Sequence, residues 1–299
     1  MYGHVETLLG AINRGGSCVA PVERTFICAD GDFLDVDQYD VSNPKGVVII
    51  SHGLEGSARS RYVLEAVSVC VSHNYAVLAW NMRGCSGRPN RFLRSYHSGF
   101  TDDLAYLVDV AGNTYLGIPI ILVGFSVGGN ITLKYLGESG VGVVGVISGA
   151  CTFSVPTDIS VCADYLHRGF RRVYERHFLR SLKGKLHQKK ELFPQIITCD
   201  FWKGIASFET YDERFTAPWF GFSSARSYWL AASSNRFIPE IKIPTIIVNA
   251  KNDPFFPLNS NPVAEAGMNP FIHLELTRFG GHNRVSKDQI ERWLGVFLN

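Results

Sequence analysis

The stretch Ile118-Pro119-Ile120-Ile121-Leu122-Val123-Gly124-Phe125-Ser126-Val127-Gly128-Gly129-Asn130 decides how this chain folds. An apolar run of strand length leads straight into a serine between two glycines. A helical pattern then follows, with Asn130, Ile131, Leu133 and Leu136. A strand-to-helix turn this sharp forces its central residue into strained backbone geometry and pushes the side chain outward. Gly124 and Gly128 stand where a Cβ would strike the neighbouring strand or helix, and Gly129 eases the same packing. The helix start also aims its free N–H groups at the serine. Five residues of the form G-x-S-x-G would equally describe a tight glycine turn. The strand before and the helix after are what make Ser126 a candidate nucleophile.

Upstream, Gly46–Ser51 and Tyr75–Trp80 are continuous β-branched or apolar runs, as expected of strands buried on both faces. Tyr62–His73 between them has helical spacing, with Val63, Ala66, Val67, Cys70 and Val71 on one side. Thr101 with Asp102 and Asp103 marks the start of a further helix, to Val110. Downstream, Val141–Ile147 reads as a fourth strand. Arg24–Ala29 and Phe33–Tyr39, around Asp30-Gly31-Asp32, read as an antiparallel hairpin at a sheet edge. Such alternation predicts a mostly parallel central sheet with helices on both faces. It stops near Cys151 and resumes at Pro244–Ala250, Ile272–Thr277 and a closing helix over Lys287–Phe297. The interval is too long for a plain loop. It is expected to be a helical cap, giving a core domain of residues 1–150 and 241–299 and a cap of 151–240.

A serine needs a base. Of nine histidines, His282 follows the last predicted strand in Phe279-Gly280-Gly281-His282, on a loop that can reach over the strand ends. His273 falls within a strand, and His167, His177 and His187 fall in the cap. The acid that orients the imidazole is expected at Asp253, where Pro244–Ala250 ends, with Asp158 after the fourth strand as its rival. The order Ser126, Asp253, His282 is the order such a strand-turn-helix nucleophile requires. The oxyanion needs two N–H donors. Val127 offers one, and Leu54 in Ser51-His52-Gly53-Leu54-Glu55-Gly56 the other. His52 is read as a strut for that loop.

Several motifs then converge: HGLEGSARSRY (52–62), NMRGCSGRPNR (81–91), YHSGFTDDL (96–104), GFSVGGN (124–130), RRVYERHFLRSLK (171–183), FETYDERFTAP (208–218) and NAKNDPF (249–255). With them the chain resembles the YheT-like (EMB8-like) branch of the α/β-hydrolase superfamily over most of its length. The resemblance implies an α/β-hydrolase fold, a cap insertion and an esterase-type triad, carried over to Ser126, Asp253 and His282. One departure is Asn283-Arg284 after the histidine, where the family is usually small and apolar, which makes the mouth of the site more polar. Animal members often carry an N-terminal anchor; this chain reads like the bacterial members that lack one.

Composition narrows the function further. The chain has 299 residues, 46% of them hydrophobic, and a net charge of +2. Nothing in that balance calls for nucleic acid, and no apolar run reaches the ~18 residues of a membrane span. Seven cysteines, none in C-x-x-C spacing, read as reduced thiols in the cytoplasm. No cofactor or metal is expected. The expected activity is cleavage of a short- to medium-chain acyl ester or lipid through an acyl-enzyme. Acyl transfer to an alcohol and a non-catalytic binding scaffold are the alternatives.

The cap has two readings. Cys162, Leu166, Phe170, Val173, Leu179, Leu182 and Leu186 recur at helical spacing, among Arg168, Arg171, Arg172, Arg176, Arg180, Lys183 and Lys185. An aromatic run follows from Phe201 to Phe222. Either these residues pack the cap's own core beneath a solvated basic face, or some aromatics line an acyl pocket over Ser126 and the basic face docks on anionic lipid surfaces.

Overall fold

A computed structural model of the chain describes residues 20–282, 285 and 287–298. The sequence around Cys18 and the departure at Asn283-Arg284 lie outside the described residues.

Eight strands form one sheet: β1 (Val22–Ile27), β2 (Phe33–Tyr39), β3 (Val47–Ser51), β4 (Ala76–Trp80), β5 (Ile120–Phe125), β6 (Ile147–Phe153), β7 (Thr245–Ala250) and β8 (Ile272–Thr277). Their spatial order is β1-β2-β4-β3-β5-β6-β7-β8. The β1–β2 and β2–β4 pairs are antiparallel and the rest are parallel. The central strands β3, β4, β5 and β7 are buried along their whole length, which is why they read as unbroken apolar runs. The edge strand β1 is largely exposed and carries Glu23 and Arg24, the charged edge that discourages pairing with another chain.

Helices cover both faces. On one, α1 (Arg61–Ser72) and α10 (Lys287–Leu298) bury Val63, Val67, Cys70, Ile290 and Leu294 against Val48, Ile50, Val77 and Val123. On the other, α2 (Asp102–Thr114) and α3 (Val127–Ser139) bury Leu104, Leu107, Ile131, Leu133 and Leu136 against Val47, Ile49, Leu78 and Leu122. Each such side chain contributes on the order of 1.5–3 kcal/mol.

The strand expected over Val141–Ile147 is not where the sequence put it. Gly140 (φ 50°) and Gly145 (φ 85°) turn the chain there, and Val141 and Val144 are 76% and 55% exposed. The fourth parallel strand is β6, whose Ser148, Gly149 and Ala150 give a weak hydrophobic signal. Gly149 is required: a Cβ would lie 2.4 Å from the Phe297 ring on α10. Cys151–Phe153 therefore belong to the sheet and not to the expected cap of 151–240.

Between β6 and β7 the chain makes no strand among the described residues. It forms α4 (Ile159–Leu166), α5 (Arg172–Leu192), α6 (Phe208–Tyr211), a π-helical turn (Asp212–Thr216), α7 (Ala217–Trp219) and α8 (Ala225–Ala232); α9 (Val263–Met268) follows β7. The stripe from Cys162 to Leu186 is broken into two helices. Cys162, Leu166, Leu179 and Leu186 are buried, whereas Phe170 and Val173 lie 66% and 51% exposed near the start of α5. The insertion packs on the sheet domain through Cys162, Leu166, Tyr174 and Phe178 against Phe255 and Phe256. Among the described residues no helix is long and apolar enough to cross a membrane.

Candidate active site

Ser126 sits between β5 and α3 with φ 52° and ψ −120°. A non-glycine residue holds that conformation only where its surroundings over-determine it. Here the surroundings are glycines in contact. A Cβ on Gly124 would lie 2.6 Å from Gly129 Cα, and one on Gly128 would lie 2.4 Å from the carbonyl oxygens of Ser51 and His52. The start of α3 is thus pressed onto the end of β3, and the loop after β3 onto the serine: a Cβ on Gly53 would stand 3.1 Å from Ser126 Cβ.

The other two expected residues arrive from loops after β7 and β8. Asp253 Oδ2 and His282 Nδ1 are 2.8 Å apart, and His282 Nε2 lies 3.1 Å from Ser126 Oγ. A carboxylate cannot donate, so Nδ1 carries the proton and Nε2 is free to accept from the hydroxyl. Asp253 is itself held: its Oδ1 accepts the Phe255 N–H at 2.8 Å. Gly281 N–H donates to Asn252 Oδ1 at 3.0 Å, tying the histidine loop to the acid loop. Gly280 and Gly281 have φ of 147° and 54°, so that loop needs both glycines. All three residues are buried, with His282 and Asp253 at 2% and 4% exposure. Asp158, the rival acid, instead caps α4, accepting from Val161 N–H at 3.1 Å.

Leu54 and Val127 line the same cavity as Ser126 and His282. Among the described residues neither backbone N–H has a hydrogen-bond partner. An oxyanion requires two such donors beside the serine. His52 accepts the Met82 N–H on Nε2 at 3.0 Å and donates from Nδ1 to Gly53 O at 2.7 Å. Burial pushes its pKa down to about 4, so it stays neutral as a strut between two loops.

The cavity holds about 140 Å³ and is walled mainly by apolar side chains, many of them from the insertion: Leu166, Phe178, Leu182, Phe208, Trp219 and Phe220. Phe201, Trp202 and Phe215 instead pack with Leu186 and Ile197 in a small core of the insertion. The aromatic run therefore does both jobs. Two lining residues escaped the sequence reading. Phe255 stacks on His282 with ring centroids 3.9 Å apart and 15° between planes; its place two residues after Asp253 was the available signal. His97, in the quoted YHSG stretch, lies edge-on to Phe220 at 4.6 Å.

The model of the serine aminopeptidase S33 family matches residues 42–263. The chain belongs to this family, in its YheT-like branch. Escherichia coli YheT is 30% identical to this YheT-like hydrolase, over 93% of the chain and 83% of YheT. The mouse phospholipase ABHD3 is 29% identical over 85% of the chain, which spans 64% of that protein. Among solved structures, the Pyrococcus furiosus esterase Pf2001 superposes with a TM-score of 0.61 at 17% identity, covering 93% of the chain and 90% of its own. That likeness shows the α/β-hydrolase fold. The YheT-like chain is accordingly an enzyme of the esterase and lipase type.

Proposed function

We propose that this chain hydrolyses a carboxylic acyl ester, lipid esters included, through an acyl-enzyme on Ser126. The carrying observation is the continuous relay Asp253–His282–Ser126, at 2.8 and 3.1 Å, opening on a cavity that Leu54 and Val127 also line. His282 Nε2 takes the Ser126 proton as Oγ attacks the ester carbonyl. The oxyanion rests on the N–H groups of Leu54 and Val127. Collapse expels the alcohol, protonated by His282, and leaves the acyl group on Ser126. Water, deprotonated by the same imidazole, then releases the acid. Asp253 keeps Nδ1 protonated and stabilises the imidazolium, while Phe255 shields the ring from water.

In this reading residues 1–150 and 241–299, with the end of β6, form the catalytic core, and the helices before β7 act as a cap that shapes the acyl pocket. An apolar cavity rewards a longer acyl chain by about 0.8 kcal/mol per buried methylene, roughly fourfold in kcat/KM. Across p-nitrophenyl esters of two to eight acyl carbons, kcat/KM is expected to rise until the cavity is full. A flat or falling series would contradict the acyl-pocket assignment.

A further inference from the structure

One charged cluster joins the insertion to the loop that supplies Leu54. Glu55 follows Leu54 directly and holds φ 55°, a left-handed conformation that a glutamate enters only when it is held there. Its N–H donates to Tyr96 Oη at 3.1 Å, and that hydroxyl donates back to Glu55 Oε1 at 2.9 Å. Lys185 Nζ donates to the same oxygen at 2.7 Å, and Ser181 Oγ donates to Oε2 at 2.7 Å. The Glu55 side chain is 3% exposed. Lys185 also donates to Cys85 Sγ at 2.8 Å and lies 5.1 Å from the centroid of the Tyr96 ring.

The origin of these groups is what matters. Ser181 and Lys185 are one turn apart on α5, an element of the insertion. Glu55, Cys85 and Tyr96 come from two loops of the sheet domain, Glu55 from the one after β3 and Cys85 and Tyr96 from the one joining β4 to α2. Both readings of the cap leave Lys185 on an outward basic face, solvated or docked on lipid; the structure turns it inward instead. The same helix lines the cavity with Phe178, Leu182 and Leu186. A buried ion pair contributes little net stability, because desolvation offsets its attraction. A fully bonded one does fix a geometry. Here the geometry it fixes is a strained peptide next to an unengaged amide.

We propose that Glu55, gripped by Ser181 and Lys185, is a positioning residue that holds the Leu54 N–H at the oxyanion and makes this donor depend on α5 being seated. This rests on the esterase reading above. Seating α5 closes the acyl cavity and aligns the donor in one movement. Displacing it frees the Glu55 carboxylate, lets the peptide relax out of the left-handed region and turns the Leu54 N–H away. The interaction is made in the transition state, so its loss falls on kcat and not on substrate affinity.

The test compares Glu55→Gln, Lys185→Met, Lys185→Arg, Ser181→Ala and the Glu55→Gln/Lys185→Met double variant with the wild-type chain. It reads kcat and KM on p-nitrophenyl butyrate, the rate of labelling by a fluorophosphonate, and thermal unfolding. Loss of an oxyanion donor costs about 10²–10³ in kcat, so misplacing one is expected to cost about 10- to 100-fold in Glu55→Gln and Lys185→Met, with KM within about twofold. Lys185→Arg keeps the charge and is expected to recover most of the rate. Ser181→Ala, at an exposed position, should lose a few-fold and stay folded even if the others do not. The double variant should be no slower than the slower single, because both break one unit. A kcat within twofold of wild type in folded Glu55→Gln, Lys185→Met or Ser181→Ala, or a change confined to KM, would overturn the positioning role alone. Failure of the wild-type chain to be labelled or to turn over ester would overturn the esterase reading beneath it.

Discussion

Replacing Asp253 by asparagine tests the relay at its least ambiguous joint. The two side chains have nearly the same shape, so the fold is expected to survive. What changes is fixed by the neighbouring bond: Asp253 Oδ1 accepts the Phe255 N–H at 2.8 Å, and only the amide oxygen of asparagine can take that place. The amide nitrogen is then turned toward His282, where Oδ2 stood 2.8 Å from Nδ1. Two donors cannot face each other, so Nδ1 must give up its proton and Nε2 must carry it. The ring nitrogen 3.1 Å from Ser126 Oγ thereby becomes a donor and ceases to be a base. A triad acid neutralised this way costs about 10⁴ in kcat, equivalent to roughly 5.4 kcal/mol of barrier. The assay is steady-state hydrolysis of p-nitrophenyl butyrate, with Asp158→Asn as the control that keeps its rate. A loss of less than tenfold in Asp253→Asn, or a reversal of the two variants, would refute the tautomer argument and move the acid elsewhere.

Other outcomes follow from the same structure. Gly128→Ala drives a Cβ to 2.4 Å from two backbone carbonyls that cannot step aside, and is expected to destabilise by about 3 kcal/mol in urea unfolding. Gly184→Ala, mid-way along α5 with nothing within 4 Å, should stabilise by up to ~1 kcal/mol; equal effects at the two sites would contradict the packing account. His97 titrates near 3 in the folded chain, through burial first and then Lys134 and Arg94, whereas the unfolded residue titrates near 6.5. Its contribution is therefore complete above pH 6.5 and lost as pH falls toward 3, by at most about 1.4 kcal/mol per unit. The stability of wild type should fall relative to His97→Phe between pH 7.5 and 4.5, and parallel curves would contradict this.

The sheet, its buried strands and the serine turn were legible because each rests on a local pattern. The β5–Ser126–α3 stretch carries strand, strain and helix start within a dozen residues. The positions of Asp253 and His282 were legible from their place at strand ends, although their mutual approach depends on β7 and β8 pairing in parallel. β6 was misplaced because its small residues suit the close approach of Phe297, a contact made across 148 residues of sequence that leaves no local trace. The insertion was legible as an interruption but not in its wiring. Lys185 looks like any surface lysine in a basic helix; only the folded chain brings it to Glu55, Cys85 and Tyr96. Phe255 was hidden for a similar reason, since a ring stacked on an imidazole has the same sequence signature as a ring in a core.

The central claim is that Ser126 is a nucleophile activated by His282. The most direct measurement is reaction of the chain with a fluorophosphonate, followed by mass mapping of the adduct, in wild type and in Ser126→Ala. Labelling of wild type at a single site on Ser126, with none in the variant and an unchanged unfolding transition in both, is the predicted result. Adduct on another residue, or equal labelling of Ser126→Ala, would contradict it.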